Sequence, residues 1–242
     1  MKGFPELGIP LHIITLCVVM IFFALMLVLL FKYRRKIDRY WDYVIALFIL
    51  GTYTFVFLEK LSNSNIDNHF VQTLLPWHNF AGFIVIIGSI AIMLPRKLVV
   101  RKYILSLSLL MSSGLVYGMF DTMINYIQQF PNSYREAEFW IYFFQVIFII
   151  YCIYSLVSED IKVTWKEILF SIVAMSLVYG VSLAVNLNTN LALFGVGKYF
   201  FNLIQYPHPI YCLIDFASIV CFVFVSYMLI AFPISKLKVI KD

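Results

Sequence analysis

The chain has 242 residues, of which 62% are hydrophobic and 13% charged, and its mean hydropathy is +0.90. Soluble domains run at about half apolar and a quarter charged, so this composition excludes an ordinary water-soluble fold. The formal net charge of +5 sits in short clusters between apolar runs and gives no reason to invoke nucleic acid.

A helix needs about 20 mostly apolar residues to cross the hydrocarbon of a bilayer. Seven such stretches are bounded by charge, proline or asparagine. The first, 9–31, is too long for the apolar region of a signal peptide, and it ends in Lys32, Arg34, Arg35 and Lys36 without a small-residue cleavage site, so it reads as a retained helix. The second, 43–58, is short and needs the flanks from Trp41 to Glu59 to complete a span. The third is 74–94. The fourth, 103–120, is also short, carries Ser106, Ser108, Ser112 and Ser113, and contains Gly114-x-x-x-Gly118, a spacing that lets helix backbones pack closely. The fifth, sixth and seventh are 139–157, 168–185 and 209–233. The sequence therefore predicts an all-α fold, a single transmembrane domain over 1–242 built as a seven-helix bundle.

Short loops rich in Lys and Arg stay cytoplasmic. One set of alternate loops holds fourteen of the eighteen basic residues: Lys32, Arg34, Arg35, Lys36 and Arg39, then Arg96, Lys97, Arg101 and Lys102, then Lys162 and Lys166, then Lys236, Lys238 and Lys241. The other set holds Lys2, Lys60, Arg135 and Lys198. This places the N-terminus outside, the C-terminus in the cytoplasm and the protein in the cell membrane. At the cytoplasmic ends, Lys and Arg with some Asp and Glu form the usual anchoring pattern. The external connection 186–208 is too apolar for a solvated loop, with Leu191, Leu193, Phe194, Tyr199, Phe200 and Phe201, and is expected to pack over the mouth of the bundle.

Unusual polar side chains gather on the outer side. His12 opens helix one, Glu59 closes helix two, His78 opens helix three, and Asp121 closes helix four. Gln145 lies in the outer half of helix five, Asn186 closes helix six, and His208, Tyr211 and Asp215 open helix seven. Ionisable groups at membrane depth are costly and tend to face the bundle interior, pair, or mark a functional site. Asp215 is the clearest case, flanked by Leu213, Ile214 and Phe216, with Tyr211 one turn before it and His78 at matching depth. The same residues can also serve as interfacial caps in reach of water. The four cysteines form neither a C-x-x-C pair nor a loop framework, so neither disulfides nor a zinc site is indicated, and no cofactor-binding motif is present.

The order of Leu75-Pro76-Trp77-His78, Gly114, Asp121, the aromatic run 139–144 and Pro207-His208-Pro209-Ile210-Tyr211 resembles the YwaF-like integral membrane family. That family has an L-P-x-H element opening its third helix and P-x-P-x-Y shortly before an acidic residue in its last. A eukaryotic branch transfers fatty acyl chains onto glycerophospholipids through a cysteine and a histidine. The resemblance assigns His78 to the L-P-x-H histidine and Tyr211 to the P-x-P-x-Y tyrosine. Asp215 falls one residue before the family's usual Glu, Gln145 stands where many members have a histidine, and the cysteine expected near His78 is not matched.

Two functions follow. One is lipid handling at the outer leaflet, by acyl transfer or lipid binding, with His78, Asp215 and Tyr211 as catalytic candidates. Tyr211 or Cys212 would be the nucleophile, and Gln145, Asp121, Asn186 and His208 would line the ligand site. The alternative is small-solute binding or transport, or a non-catalytic assembly subunit with a membrane-protein partner.

Overall fold

The computed structural model describes residues 39–63, 80–117, 137–189 and 208–236, together with six helical residues between Ile14 and Leu25. Among them all regular structure is helical and there is no strand. The helices are α1 (Arg39–Asn63), α2 (Phe80–Met93), α3 (Val99–Leu110), α4 (Ala137–Ser158), α5 (Trp165–Thr189) and α6 (His208–Ser226), and α6 continues through a π turn (Tyr227–Ala231) into α7 (Phe232–Lys236). Two stretches are long and apolar enough to cross a membrane, Trp165–Val185 and Leu213–Lys236, each with a mean hydropathy of 2.3. Ala81–Met93 and Phe144–Ser158 are shorter apolar helices.

The helices fall on the second to seventh apolar stretches. α1 extends past its apolar run at both ends, as the short 43–58 stretch required. α3 differs from expectation. Its regular part stops at Leu110, Met111 forms a turn, and the chain is helical again over 112–117. The last helix also differs, because the π turn interrupts it.

Helix α2 ends where Pro95 removes a backbone donor, and the connection 94–98 turns the chain into α3 through the Leu98 N–H to Pro95 carbonyl bond at 2.9 Å. α4 ends in a Schellman arrangement. The Ile161 N–H bonds the Leu156 carbonyl at 2.9 Å, the Asp160 N–H bonds the Val157 carbonyl at 3.2 Å, and Asp160 takes the left-handed conformation at φ 49°. α5 opens on half of a capping box, in which Glu167 Oε2 accepts the Thr164 N–H at 2.7 Å and the Thr164 hydroxyl. Lys102 on α3 reaches the other Glu167 oxygen at 2.8 Å, so this cap also ties α3 to α5.

Helices α1, α2, α3 and α4 pack around a common core that includes Ile49, Ile84, Leu105, Leu109 and Phe148, while α5 and α6 pack on each other and on α3. Outward faces of α5 and α6 carry Leu169, Val173, Leu177, Leu213 and Phe216, apolar and exposed, as a surface bathed by lipid would be. The tightest point is Gly88 on α2, where a Cβ would lie 2.3 Å from Phe148 Cζ and 2.5 Å from Ser108 Oγ. Gly88→Ala is therefore expected to destabilise by about 1–3 kcal/mol through overpacking. Gly180→Ala, at a site with no atom within 4 Å of a new Cβ, should stay within about 0.5 kcal/mol of wild type. Thermal unfolding of the two variants in one detergent checks this contrast.

Candidate functional site

Of the residues singled out above, Asp215 and Gln145 have described side chains. Asn186 lies in α5, and His208 and Tyr211 lie in α6, one and two turns before Asp215 for Tyr211 and His208 respectively, but their side chains are outside the description. His78, Asp121 and the 186–208 connection beyond Thr189 lie outside the described residues, as does the Cys212 side chain.

Asp215 is 5% exposed, although Leu213 and Phe216 beside it are 69% and 43% exposed. The helix thus turns its carboxylate inward against α5 while its neighbours face out. There the Tyr179 hydroxyl donates to Asp215 Oδ2 at 3.1 Å. Tyr179 was not among the residues singled out from the sequence. Sorting by ionisable character passes over a tyrosine within an apolar run, and only the pairing of α5 with α6 shows what it faces. Gln145 is placed elsewhere. Its Nε2 donates to the Tyr53 hydroxyl on α1 at 3.2 Å, and its Oε1 is buried without a hydrogen-bond partner. No hydrogen bond joins Gln145 to Asp215; the two belong to different helix pairs.

The largest departure from expectation is at the basic end of the bundle. The acidic and basic residues there read as solvated anchors, but four of them form a largely buried network. Asp42 on α1 is 2% exposed and Arg101 on α3 is 0% exposed. Arg96 Nη2 bonds Asp42 Oδ2 at 3.0 Å, and Arg101 Nη2 bonds Glu159 Oε1 at 2.6 Å. Arg96 Nε also lies 3.4 Å from Glu159 Oε1, and Arg101 Nη2 lies 3.8 Å from Asp42 Oδ2, so each guanidinium faces both carboxylates. The Tyr151 hydroxyl on α4 donates to Asp42 Oδ1. Arg101 Nη1 donates to the carbonyls of Ile92 and Leu94 at 2.7 Å each, satisfying groups that the end of α2 leaves open. Burial pushes the Glu159 carboxyl above its ordinary range, with Arg101 and Arg96 pulling the other way.

Two negative and two positive groups leave this network with no net charge to offer a ligand. Its geometry joins α1, the α2–α3 connection, α3 and the end of α4, and it acts as a clamp. The signal for it in the sequence was the presence of Asp42 and Glu159 among the basic clusters, where anchoring alone calls for Lys and Arg. Among the described residues no group of three or more His, Cys, Asp or Glu could hold a metal ion. Cys152 is buried and Cys221 exposed on an apolar helix. No family model matches this chain, and comparison with curated proteins and with solved structures finds no significant similarity.

Proposed function

We propose that this is a seven-span membrane protein of the cell membrane, N-terminus outside and C-terminus cytoplasmic, that handles lipid at a polar site in the outer half of its last two helices. The observation that carries this reading is the Asp215 carboxylate, turned inward from a lipid-exposed apolar helix and held by the Tyr179 hydroxyl. A carboxylate is expensive at that depth, so its retention there points to work on a polar group that enters from the membrane. A lipid headgroup with its hydroxyl or ammonium donors fits a carboxylate acceptor, and its acyl chains fit the exposed apolar faces of α5 and α6. The YwaF-like resemblance points the same way, and Tyr211, His208 and Asn186, at the same end of α5 and α6, are the residues that would complete the site with His78 and Asp121.

If Tyr179 orients the carboxylate, Tyr179→Phe should retain about tenfold less phospholipid through purification in mild detergent. Phospholipid content equal to wild type would count against the site. The topology is tested separately: a reporter fused after Asp242 should be active only in the cytoplasm, and activity only outside would sink the assignment. The membrane-protein partner of the alternative reading has no specific observation in its favour.

A further inference from the structure

Two helices depart from regular α geometry where they meet. Met111 breaks α3 with φ −96° and ψ 2°, and the helix resumes at 112. Across from it, α6 gives way to the π turn that begins at Tyr227. Serines join the two interruptions. Ser226 Oγ accepts the Ser113 N–H at 2.9 Å and donates to Ser113 Oγ at 2.8 Å, and Ser113 Oγ donates to the Phe222 carbonyl at 2.8 Å. The Phe222 ring packs on Gly114 here, where a Cβ would lie 3.2 Å from Phe222 Cδ2.

The π turn has a local cause. Pro233 has no N–H for the Leu229 carbonyl, and in a regular α-helix its ring would strike that carbonyl; a π turn just before it relieves both. On the other side, the Met111 N–H and the Leu115 N–H keep carbonyls four residues back at 2.9 and 3.1 Å, whereas the Ser113 N–H turns to another helix. In hydrocarbon that N–H must find a protein partner, and Ser226 Oγ is that partner. Bonds between helices have thus replaced bonds within them. The reverse exchange is open to the same groups, because serine hydroxyls can bond the carbonyl four residues earlier, as Ser108, Ser182 and Ser218 do. Two arrangements that satisfy similar numbers of polar groups lie close in energy, which is what a hinge requires.

We propose that this crossing is a hinge, about which residues 208–226 swing against α3 and α5 by exchanging the Ser113–Ser226 bonds for intrahelical ones. Asp215 lies eleven residues from Ser226, about 16 Å along the helix, so the swing draws it away from Tyr179. The inference stands on the backbone and the serines and holds whether or not Asp215 binds lipid.

The test uses the full chain in phosphatidylcholine and phosphatidylglycerol nanodiscs. Spin labels are introduced as non-cysteine amino acids at Leu169 and Leu213, both exposed, and the distance between them is measured by pulsed dipolar spectroscopy. Wild type should give two distances, and Ser226→Ala should shift their ratio by about fivefold toward the separated state, since one interhelical acceptor is lost. Pro233→Ala, which permits a regular α-helix, should give one distance. A single distance in wild type overturns the hinge, and so does a ratio that Ser226→Ala leaves unchanged. Two distances persisting in Pro233→Ala would overturn the part assigned to the π turn.

Discussion

Arg101→Met is expected to be the most destabilising single substitution at the basic end of the bundle, costing about 3–5 kcal/mol, the usual consequence of removing one partner from a buried ion pair. The methionine keeps the apolar stem and loses every donor. The carbonyls of Ile92 and Leu94 then have no partner at 2.7 Å, and Glu159 loses its bond at 2.6 Å. Arg96 compensates only in part: it stays near Glu159 at 3.4 Å, but its hydrogen bonds at 3.0 and 3.2 Å go to Asp42. Arg101→Lys should fall between wild type and Met, since one ammonium cannot span two carbonyls and a carboxylate as the planar fork does. Arg39→Met is the control. Among the described residues Arg39 contacts Tyr43, on an exposed face, and its replacement should change stability by no more than about 0.5 kcal/mol.

Thermal unfolding in one detergent ranks the three variants, and pH adds a second readout. Without Arg101 the Glu159 carboxyl loses the stronger of the two influences that oppose its burial, so its folded pKa rises further above the unfolded value. A carboxyl shifted in that direction contributes most when the pH is below its unfolded value, and that contribution is lost as pH rises through the folded one. Arg101→Met should therefore melt higher at pH 5 than at pH 8 relative to wild type, and Glu159→Gln added to it should remove that difference. An Arg101→Met protein that melts with wild type at both pH values would show the network to be ornamental.

Apolar run length carried the helices well because it is a local quantity. The stretches 139–157 and 168–185 were bounded by Glu138 and Glu159 or by Lys166 and Asn186, and α4 and α5 extend only a few residues beyond them. The break at Met111 was not legible. Nothing in Leu110-Met111-Ser112 disfavours a helix strongly, and the turn is held by Ser226, more than a hundred residues away. For the π turn the only local signal was Pro233 inside the last apolar run. The ion network failed to show for a related reason. Asp42, Arg96, Arg101 and Glu159 stand at the ends of separate segments, and whether such a charge faces water or another helix is decided by packing, which composition does not encode. Asp215 was legible because its cost is local: a carboxylate two turns into an apolar helix needs an explanation wherever the other helices lie.

Asp215→Asn should leave the protein folded and inserted yet abolish lipid retention, and the comparison with Asp215→Leu is what gives this prediction its force. Asparagine keeps the shape of the side chain and an oxygen that can accept the Tyr179 hydroxyl now bonded at 3.1 Å. It removes the negative charge and turns one acceptor oxygen into an NH2 donor, and with them goes the charge-assisted bond to a headgroup donor, worth about 1.5–3 kcal/mol or a ten- to hundredfold loss of affinity. Leucine also removes the oxygen that accepts the Tyr179 hydroxyl across the α5–α6 contact, so it should lower the melting temperature as well as lipid content. A residue that merely capped an interfacial turn would behave otherwise, because replacing it would cost little in either measurement. Bound phospholipid per protein, determined by mass spectrometry after purification in mild detergent, separates these outcomes when read with the melting temperature. Loss of lipid in Asp215→Asn at an unchanged melting temperature supports the site. Loss of both together would reduce Asp215 to a structural role, and full retention in both variants would end the reading of this helix pair as the working site.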